Sequence, residues 1–224
     1  MRARPQRVIL LLALSMAAAI TLAPLLWMVS ISFMPSGDAN VFPPRLMPRI
    51  WTVEHYRTLF SRMDLARYAL NSLFLATSVT VLSVLINSMA GYAFAKFRFR
   101  GRDPLYRFLL GALVIPAQVA MLPLFLLMKK FGLVNTYLGA MIPGLASIFG
   151  IFLVRQYALA LPDELLDAAR IDGAGEWRIY RSIVLPVIRP ILVTLAVFAF
   201  MGTWNDFMWP LIILSSDQRY TLPV

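Results

Sequence analysis

Long stretches without a single charged residue dominate this sequence and limit the folds that it can adopt. Four such stretches exceed 20 residues, and a fifth contains only the charge of Asp206; they are residues 8–33, 69–95, 108–128, 131–154 and 190–216. An α-helix rises about 1.5 Å per residue, so roughly 20 residues cross the ~30 Å hydrocarbon core of a bilayer. The pattern predicts an all-α polytopic membrane helix bundle, with five spans at about residues 8–33, 69–95, 107–128, 132–154 and 186–214.

Composition favours a membrane protein over the other classes that a basic chain suggests. Hydrophobic residues make up 60% of the chain, against about 45–50% in soluble domains. The net charge of +10 comes from Lys and Arg that flank the apolar stretches, and no compact charged domain remains to bind nucleic acid. The first stretch has 26 residues and contains Pro24, whereas the apolar region of a signal peptide has about 7–15, so an uncleaved helix is favoured.

The basic residues also predict which way the chain faces. With the N-terminus on the inner side, 13 Lys and Arg fall in segments on the inner side of the membrane and eight in segments on the outer side, which is the usual bias. The segment 34–68 would then lie outside, as an irregular Pro-rich stretch followed by a short interfacial helix. That helix is predicted to carry three aromatic residues that anchor it to the membrane surface, namely Trp51, Tyr56 and Phe60.

One charged block, residues 163–189, interrupts the apolar pattern. Nine of its 27 residues are charged, although charged residues make up only 14% of the chain. Pro162 and the acids after it are typical of a helix start, and Gly173 is typical of a helix end. A second short helix is predicted to follow, with an apolar side formed by Trp177, Tyr180 and Val184. Composition alone leaves two readings open, a rigid helix–turn–helix that contacts another protein or a solvated loop with an amphipathic surface helix.

The spacing within the charged block resembles the EAA loop of bacterial ABC-importer permeases, which reads EAA, three residues, G, nine residues and I-x-L-P. Here Asp167-Ala168-Ala169 is followed by RID, Gly173, AGEWRIYRS and Ile183-Val184-Leu185-Pro186. Asp167 replaces the usual Glu, which keeps the charge and shortens the side chain by one methylene.

Further stretches resemble the carbohydrate-uptake permeases of the maltose-system second-subunit type: NSLFLATSVTVLSVLINSMAGYAFAKFRFRGR, IPAQVAMLPLF, GIFLVRQY and WNDFMWPLI. The resemblance covers about residues 8–224 and implies the fold of a type I ABC importer permease, in a single transmembrane domain over residues 1–224. That family has six spans with both termini inside, so we expect a last C-terminal helix to be missing here.

The resemblance implies a permease subunit of an ABC importer in the bacterial inner membrane, which translocates a sugar or related polyol. Its partners would be ABC ATPase subunits, a second homologous permease and an extracytoplasmic solute-binding protein. In the family this loop, at about residues 160–185, is cytoplasmic and docks into the ATPase. The implied contact residues are Asp167, Ala168, Ala169, Asp172, Gly173 and Ala174, with Asp167 expected to pair with an Arg of the partner.

The sequence indicates that this chain is not itself the ATPase or another enzyme. It contains no G-x-x-x-x-G-K-[ST] loop to hold phosphates, and no constellation of catalytic groups. We therefore expect no cofactor in this chain, with ATP and Mg used by the partner ATPase. The alternative is an ion-coupled secondary transporter of a small polar solute, which requires acids or broken repeat helices at the membrane midplane; Asp206 alone gives that alternative little support.

Two features in the apolar stretches have both a structural and a functional interpretation. Trp204, Asn205 and Asp206 form either an interfacial cluster at the outer water boundary or part of a translocation pathway that faces sugar hydroxyls. The prolines and glycines of the third and fourth stretches either kink and pack helices or mark a helix pair that lines a moving cavity; they are Pro116, Pro123, Pro143, Gly111, Gly144 and Gly150.

Overall fold

The computed structural model describes residues 3–38 and 41–224, with side chains described from Arg7 onward. The described residues form helices and no strand, which confirms the all-α prediction. The α-helices are α1 (Ala3–Ser32), α2 (Glu54–Arg62), α3 (Leu65–Lys96), α4 (Arg102–Ala112), α5 (Ala117–Lys130), α6 (Tyr137–Leu145), α7 (Ile148–Leu159), α8 (Asp163–Ile171), α9 (Glu176–Ile179), α10 (Leu185–Val187), α11 (Arg189–Trp204) and α12 (Met208–Ile213). A π-helical turn, Tyr180–Val184, joins α9 to α10, and a 3₁₀ turn covers Asp217–Arg219.

Three helical segments are long and apolar enough to cross a membrane: Arg7–Ser32, Leu65–Lys96 and Tyr137–Leu159. Two further pairs are bent, α4 with α5 by 106° and Glu176–Val187 with α11 by 81°. The number of candidate spans among the described residues is therefore three, or five if each bent pair is one span. The first bend has a local cause, because Pro116 cannot donate a helical hydrogen bond and adopts an extended ψ of 133° just before α5.

The chain forms two compact units, Met1–Leu65 and Ala66–Val224. In the first unit, two of the three aromatic residues predicted to anchor at the membrane surface, Trp51 and Tyr56, pack on the end of α1, and the third, Phe60, is exposed. The ring of Phe33 lies 5.7 Å from that of Trp51 and 5.5 Å from that of Tyr56, whose hydroxyl donates to Ser32 Oγ at 2.8 Å. The predicted short helix begins only at Glu54, so Trp51 precedes it rather than lying on it.

In the second unit the largest apolar core surrounds the charged block. Leu166 of α8 and Ile179 of α9 are buried in one cluster with residues of α3, α7 and α11, among them Tyr92, Val154 and Leu195. The helices α3 and α7 approach closely where Gly91 faces Val154, because a Cβ at Gly91 would lie only 2.7 Å from that side chain. The charged block is therefore packed against the ends of three long helices and is not a loose loop.

The break between α6 and α7 is held by a buried polar side chain. Asn87 of α3 is fully buried; its Nδ2 donates to Ser83 Oγ at 2.7 Å and to the Leu145 carbonyl at 3.5 Å. Its Oδ1 accepts the backbone N–H of Ser147 at 3.0 Å. Backbone groups at membrane depth need partners of this kind, so Asn87 permits a non-helical step inside an apolar segment.

Replacing Asn87 by Leu should destabilise the protein, since it leaves the Ser147 N–H and the Leu145 carbonyl without their partner. The cost of such a buried unsatisfied group is about 1–3 kcal/mol. We expect the midpoint of thermal unfolding in detergent to fall by several degrees, whereas Thr77→Val, an exposed change on the same helix, leaves it unchanged. Equal midpoints for the two variants would show that Asn87 does not hold the break.

Candidate functional site

The charged block folds as the helix–turn–helix that its capping residues predict. Pro162 precedes α8 in an extended conformation, and Asp163 and Glu164 occupy the first turn, where they complement the helix dipole. After α8, Gly173 adopts a φ of +81°, a left-handed conformation that favours glycine. The N–H of Ala174 donates to the Ala169 carbonyl at 2.9 Å, and that of Gly173 donates to the Arg170 carbonyl at 3.0 Å. These bonds satisfy the end of α8 and fix the direction of α9.

The six predicted contact residues lie together on this turn, but they are not equally exposed. Asp167, Ala168, Asp172 and Gly173 are exposed, whereas Ala169 and Ala174 are half-buried against the core around the block. The tip of the turn also carries Ile171, whose exposed fraction is 86%. A signal for Ile171 was present in the sequence, because this aliphatic residue lies between two charged residues, Arg170 and Asp172, next to the predicted helix end.

The second helix of the block departs from its predicted apolar side. Tyr180 and Val184 are buried as expected, but Trp177 is 63% exposed. The turn from Tyr180 to Val184 is π-helical, so Val184 does not keep the 3.6-residue periodicity relative to Trp177 on which the prediction relied. The Trp177 ring instead lies over the edge of the core, 5.5 Å from the ring of Tyr180.

Arg170 joins α8 to α9, because its guanidinium pairs with one carboxylate from each helix. Its Nη1 binds Asp167 Oδ1 at 2.7 Å, and its Nε binds Glu176 Oε1 at 2.8 Å. These two carboxylates, Glu176 first, raise the pKa of the Arg170 guanidinium. Asp167, which was predicted to meet an Arg of another protein, is thus already paired within its own chain.

Lys96 at the end of α3 holds the start of α8. Its Nζ donates to Asp163 Oδ1 at 2.6 Å and to the Leu161 carbonyl at 2.5 Å. The hydrogen bond and the charge of Lys96 lower the pKa of the Asp163 carboxyl. A polar cleft of about 650 Å³ lies beside these pairs, lined by Lys96, Arg98, Asp163, Asp167, Arg170 and Glu176, among others.

A second candidate site is formed where α3, α6 and α11 meet. Two adjoining clefts of about 420 and 400 Å³ share five lining residues, which are Val79, Pro143, Gly144, Thr203 and Asp206. The first is also lined by Ser83, Ser147 and the rings of Phe149 and Phe198. Polar groups beside aromatic faces are typical of pockets that bind small polar ligands.

Of the three predicted pathway residues, the structure places only Asp206 in these clefts. Asp206 is half-buried, and its Oδ1 accepts the N–H of Trp209 at 3.3 Å. Trp204 stacks on Phe200 with ring centroids 5.7 Å apart, and Asn205 is exposed and donates to the Met201 carbonyl at 2.7 Å. Pro143 and Gly144 line both clefts, which agrees with the cavity-lining interpretation of the prolines and glycines at these two positions.

Comparison with known proteins identifies relatives that match most of the chain. Residues 83–223 match the model of the family described as binding-protein-dependent transport system inner membrane component. The arabinooligosaccharides transport system permease protein AraQ of Halalkalibacterium halodurans is 38% identical over 96% of this chain and 78% of its own length. The lactose transport system permease protein LacG of Rhizobium radiobacter is 36% identical over 93% and 76%.

A solved structure shares the fold. The chain superposes on a bacterial ABC transporter involved in the import of the acidic polysaccharide alginate, with a TM-score of 0.84 and 24% identity. The match covers 99% of this chain and 79% of that one. It confirms the predicted fold of an ABC importer permease.

Proposed function

This chain belongs to the family of inner membrane components of binding-protein-dependent transport systems, and from that membership we propose its solute, its partners and its orientation. It is a multi-pass membrane permease subunit of an ABC importer and not a catalytic subunit. The ion-coupled secondary transporter is not favoured, because the matching family consists of components of binding-protein-dependent transport systems and the relatives are named transport system permease proteins.

The proposed solute is a sugar or a related polyol. The names of AraQ and LacG assign them to arabinooligosaccharides and lactose, and a third relative, UgpE of Salmonella typhi, is named for sn-glycerol-3-phosphate. All three solutes carry two or more hydroxyl groups, which require donors and acceptors in the pathway. Ser83, Ser147, Thr203 and Asp206 supply such groups around the clefts, beside the aromatic faces of Phe149 and Phe198.

The charged block is the proposed docking element for the ATPase. The observation that supports this most strongly is its rigid, capped turn, which carries the exposed Ile171, Asp172 and Gly173 at its tip. Asp167 and Ala168 would contact the ATPase beside them, while Ala169 and Ala174 hold the turn against the core. Arg170 occupies Oδ1 of Asp167, so an Arg of the ATPase would bind the other carboxylate oxygen.

Orientation and cofactor use follow from this assignment. The charged block and the N-terminus are on the cytoplasmic side, consistent with the excess of basic residues in the segments assigned to it. ATP and Mg are bound by the ATPase, because this chain has no phosphate-binding loop. A second permease subunit and an external solute-binding protein complete the transporter.

Copurification tests the proposed docking. We expect a candidate ABC ATPase from the source organism to be retained on the affinity resin together with the tagged permease pair in detergent. The same ATPase applied to the resin without the permease pair should not be retained. ATP hydrolysis by the purified complex should rise when the loaded solute-binding protein is added. Failure of every ABC ATPase of that organism to be retained would contradict the proposal.

Asp206 tests the proposed pathway. Asp206→Asn keeps the acceptor for the Trp209 N–H but removes the charge that faces the clefts. A hydrogen bond to a charged group contributes about 1.5–3 kcal/mol, so we expect uptake at low solute concentration to fall about tenfold with ATPase retention unchanged. The matched control is Asp217→Asn, an exposed acid outside the clefts. Equal uptake by both variants would favour the interfacial-cluster interpretation.

A further inference from the structure

The cytoplasmic end of α3 carries a row of polar side chains that belong neither to the docking turn, residues 171–174, nor to the two clefts lined by Asp206. Ser88, Tyr92 and Lys96 are spaced at i, i+4 and i+8, so they share one face of the helix. Ser88 and Tyr92 are 1% and 3% exposed, and the Lys96 side chain is 7% exposed. We call these three residues the polar stripe.

Each member of the polar stripe contacts a different part of the charged block. Lys96 binds Asp163 and the Leu161 carbonyl at the start of α8. Tyr92 donates its hydroxyl to Glu176 Oε2 at the start of α9, at 3.4 Å. The hydroxyl of Ser88 lies 2.6 Å from that of Tyr180, where α9 passes into the π-helical turn.

The burial of the polar stripe makes these contacts specific to one arrangement. A buried hydroxyl group without a hydrogen-bond partner costs about 2–7 kcal/mol, and an unpaired buried ammonium group costs more. Separating α3 from the charged block would therefore require a large free energy. Apolar contacts act in the same place, because Tyr92 and Ala95 share one core cluster with Leu166 and Ile179. Glu176 also pairs with Arg170, which in turn holds Asp167 on the docking face.

The other end of the same helix segment reaches the clefts. Ser83 and Val79 of α3 line the cleft that contains Asp206, about one and a half and two and a half turns before Ser88. The chain itself connects the charged block only to α7 and to α11. The polar stripe adds a third connection, to a helix that is remote from the block in sequence.

We propose that the polar stripe is a set of positioning residues that fixes the charged block to α3, so that displacement of the block by the ATPase moves α3 and the cleft wall with it. This inference rests on the proposed function, because it takes the ATPase as the source of the displacement. Ser88, Tyr92 and Lys96 contact neither the solute nor the ATPase. They determine how much of the movement of the block reaches the clefts.

The test compares transport with hydrolysis in the assembled transporter. Tyr92→Phe removes one hydroxyl, and the triple variant Ser88→Ala, Tyr92→Phe and Lys96→Met removes every polar contact of the stripe. We expect the triple variant to retain and activate the ATPase but to transport about tenfold less solute per ATP, within the usual range of allosteric coupling. Tyr92→Phe should also lower the amount of solute transported per ATP hydrolysed. Tyr68→Phe, the same change near the other end of α3, is the control.

A distance measurement separates positioning from a general loss of stability. The chain has no cysteine, so Met89→Cys on α3 and Glu164→Cys on α8 accept a single pair of spin labels. We expect one narrow distance that is the same with and without ATP, and a broader, ATP-dependent distance when Tyr92→Phe or the triple variant is added. Tyr68→Phe should keep the narrow distance.

Two negative results would separate a failure of this inference from a failure of the proposed function. If the stripe variants hydrolyse ATP and transport solute at the unmodified ratio, or keep the narrow distance, the inference is wrong and the proposed function stands. If the unmodified permease does not retain the ATPase at all, the proposed function is wrong and this inference fails with it.

Discussion

Gly173→Pro is expected to reduce solute uptake to background while the chain still inserts into the membrane. Gly173 has a φ of +81°, whereas proline is restricted to about −65°. The substitution also removes the N–H that donates to the Arg170 carbonyl. The turn between α8 and α9 would then point the docking residues in another direction. Uptake of radiolabelled solute by whole cells, with the amount of permease in the membrane measured by immunoblot, gives the comparison.

A proline two residues further on is the matched control. Gly175 has a φ of −71° and a ψ of 158°, which proline adopts without strain, and a side chain there would meet open space. Gly175→Pro should therefore retain most of the uptake. Normal uptake by Gly173→Pro would show that the charged block does not couple the ATPase to transport.

Ile171→Asp is expected to weaken retention of the ATPase by at least about tenfold. Ile171 is the most exposed large apolar side chain of the docking turn, at 86%, and burial of such a side chain in an interface contributes about 1.5–3 kcal/mol. A carboxylate in the same position would have to be desolvated without a partner. The dissociation constant of the permease–ATPase complex in detergent, measured by titration, reports the change.

Two variants control for the chemistry of that substitution. Ile171→Leu keeps the apolar surface and should bind as the unmodified chain does. Ile50→Asp introduces the same charge at a residue that is 68% exposed in the segment predicted to lie outside, and it should leave ATPase binding unchanged. If Ile171→Asp binds as tightly as these controls, Ile171 does not enter the interface.

Local chemistry explains which parts of the structure were predictable. The caps of α8 depend on residues within one or two turns of each end, so Pro162, Asp163 and Gly173 were sufficient to predict its start and end. The apolar stretches likewise predicted the helical character of the chain, because backbone groups in hydrocarbon require it. The 106° bend between α4 and α5 was not predicted, since Pro116 marks a break without giving its angle.

Most of the contacts that define the sites could not be predicted from local sequence patterns. Ser88 meets Tyr180 across 92 residues of chain, and Lys96 meets Asp163 across 67. No spacing rule relates such positions. Trp204, Asn205 and Asp206 show the same limit at short range, because α11 ends at Trp204 and only Asp206, in the turn that follows, reaches the clefts. The pairing of Asp167 with Arg170 could have been anticipated, since i and i+3 residues face each other on a helix.

Uptake by reconstituted vesicles distinguishes an ATP-driven importer from an ion-driven carrier. The permease pair, its ATPase and the solute-binding protein are placed in liposomes with the binding protein outside and ATP inside. We expect uptake that requires ATP and the loaded binding protein and that is unaffected by a protonophore or a sodium ionophore. Uptake that continues without ATP and collapses when the ion gradient is dissipated would contradict the assignment of this chain to an ATP-driven importer.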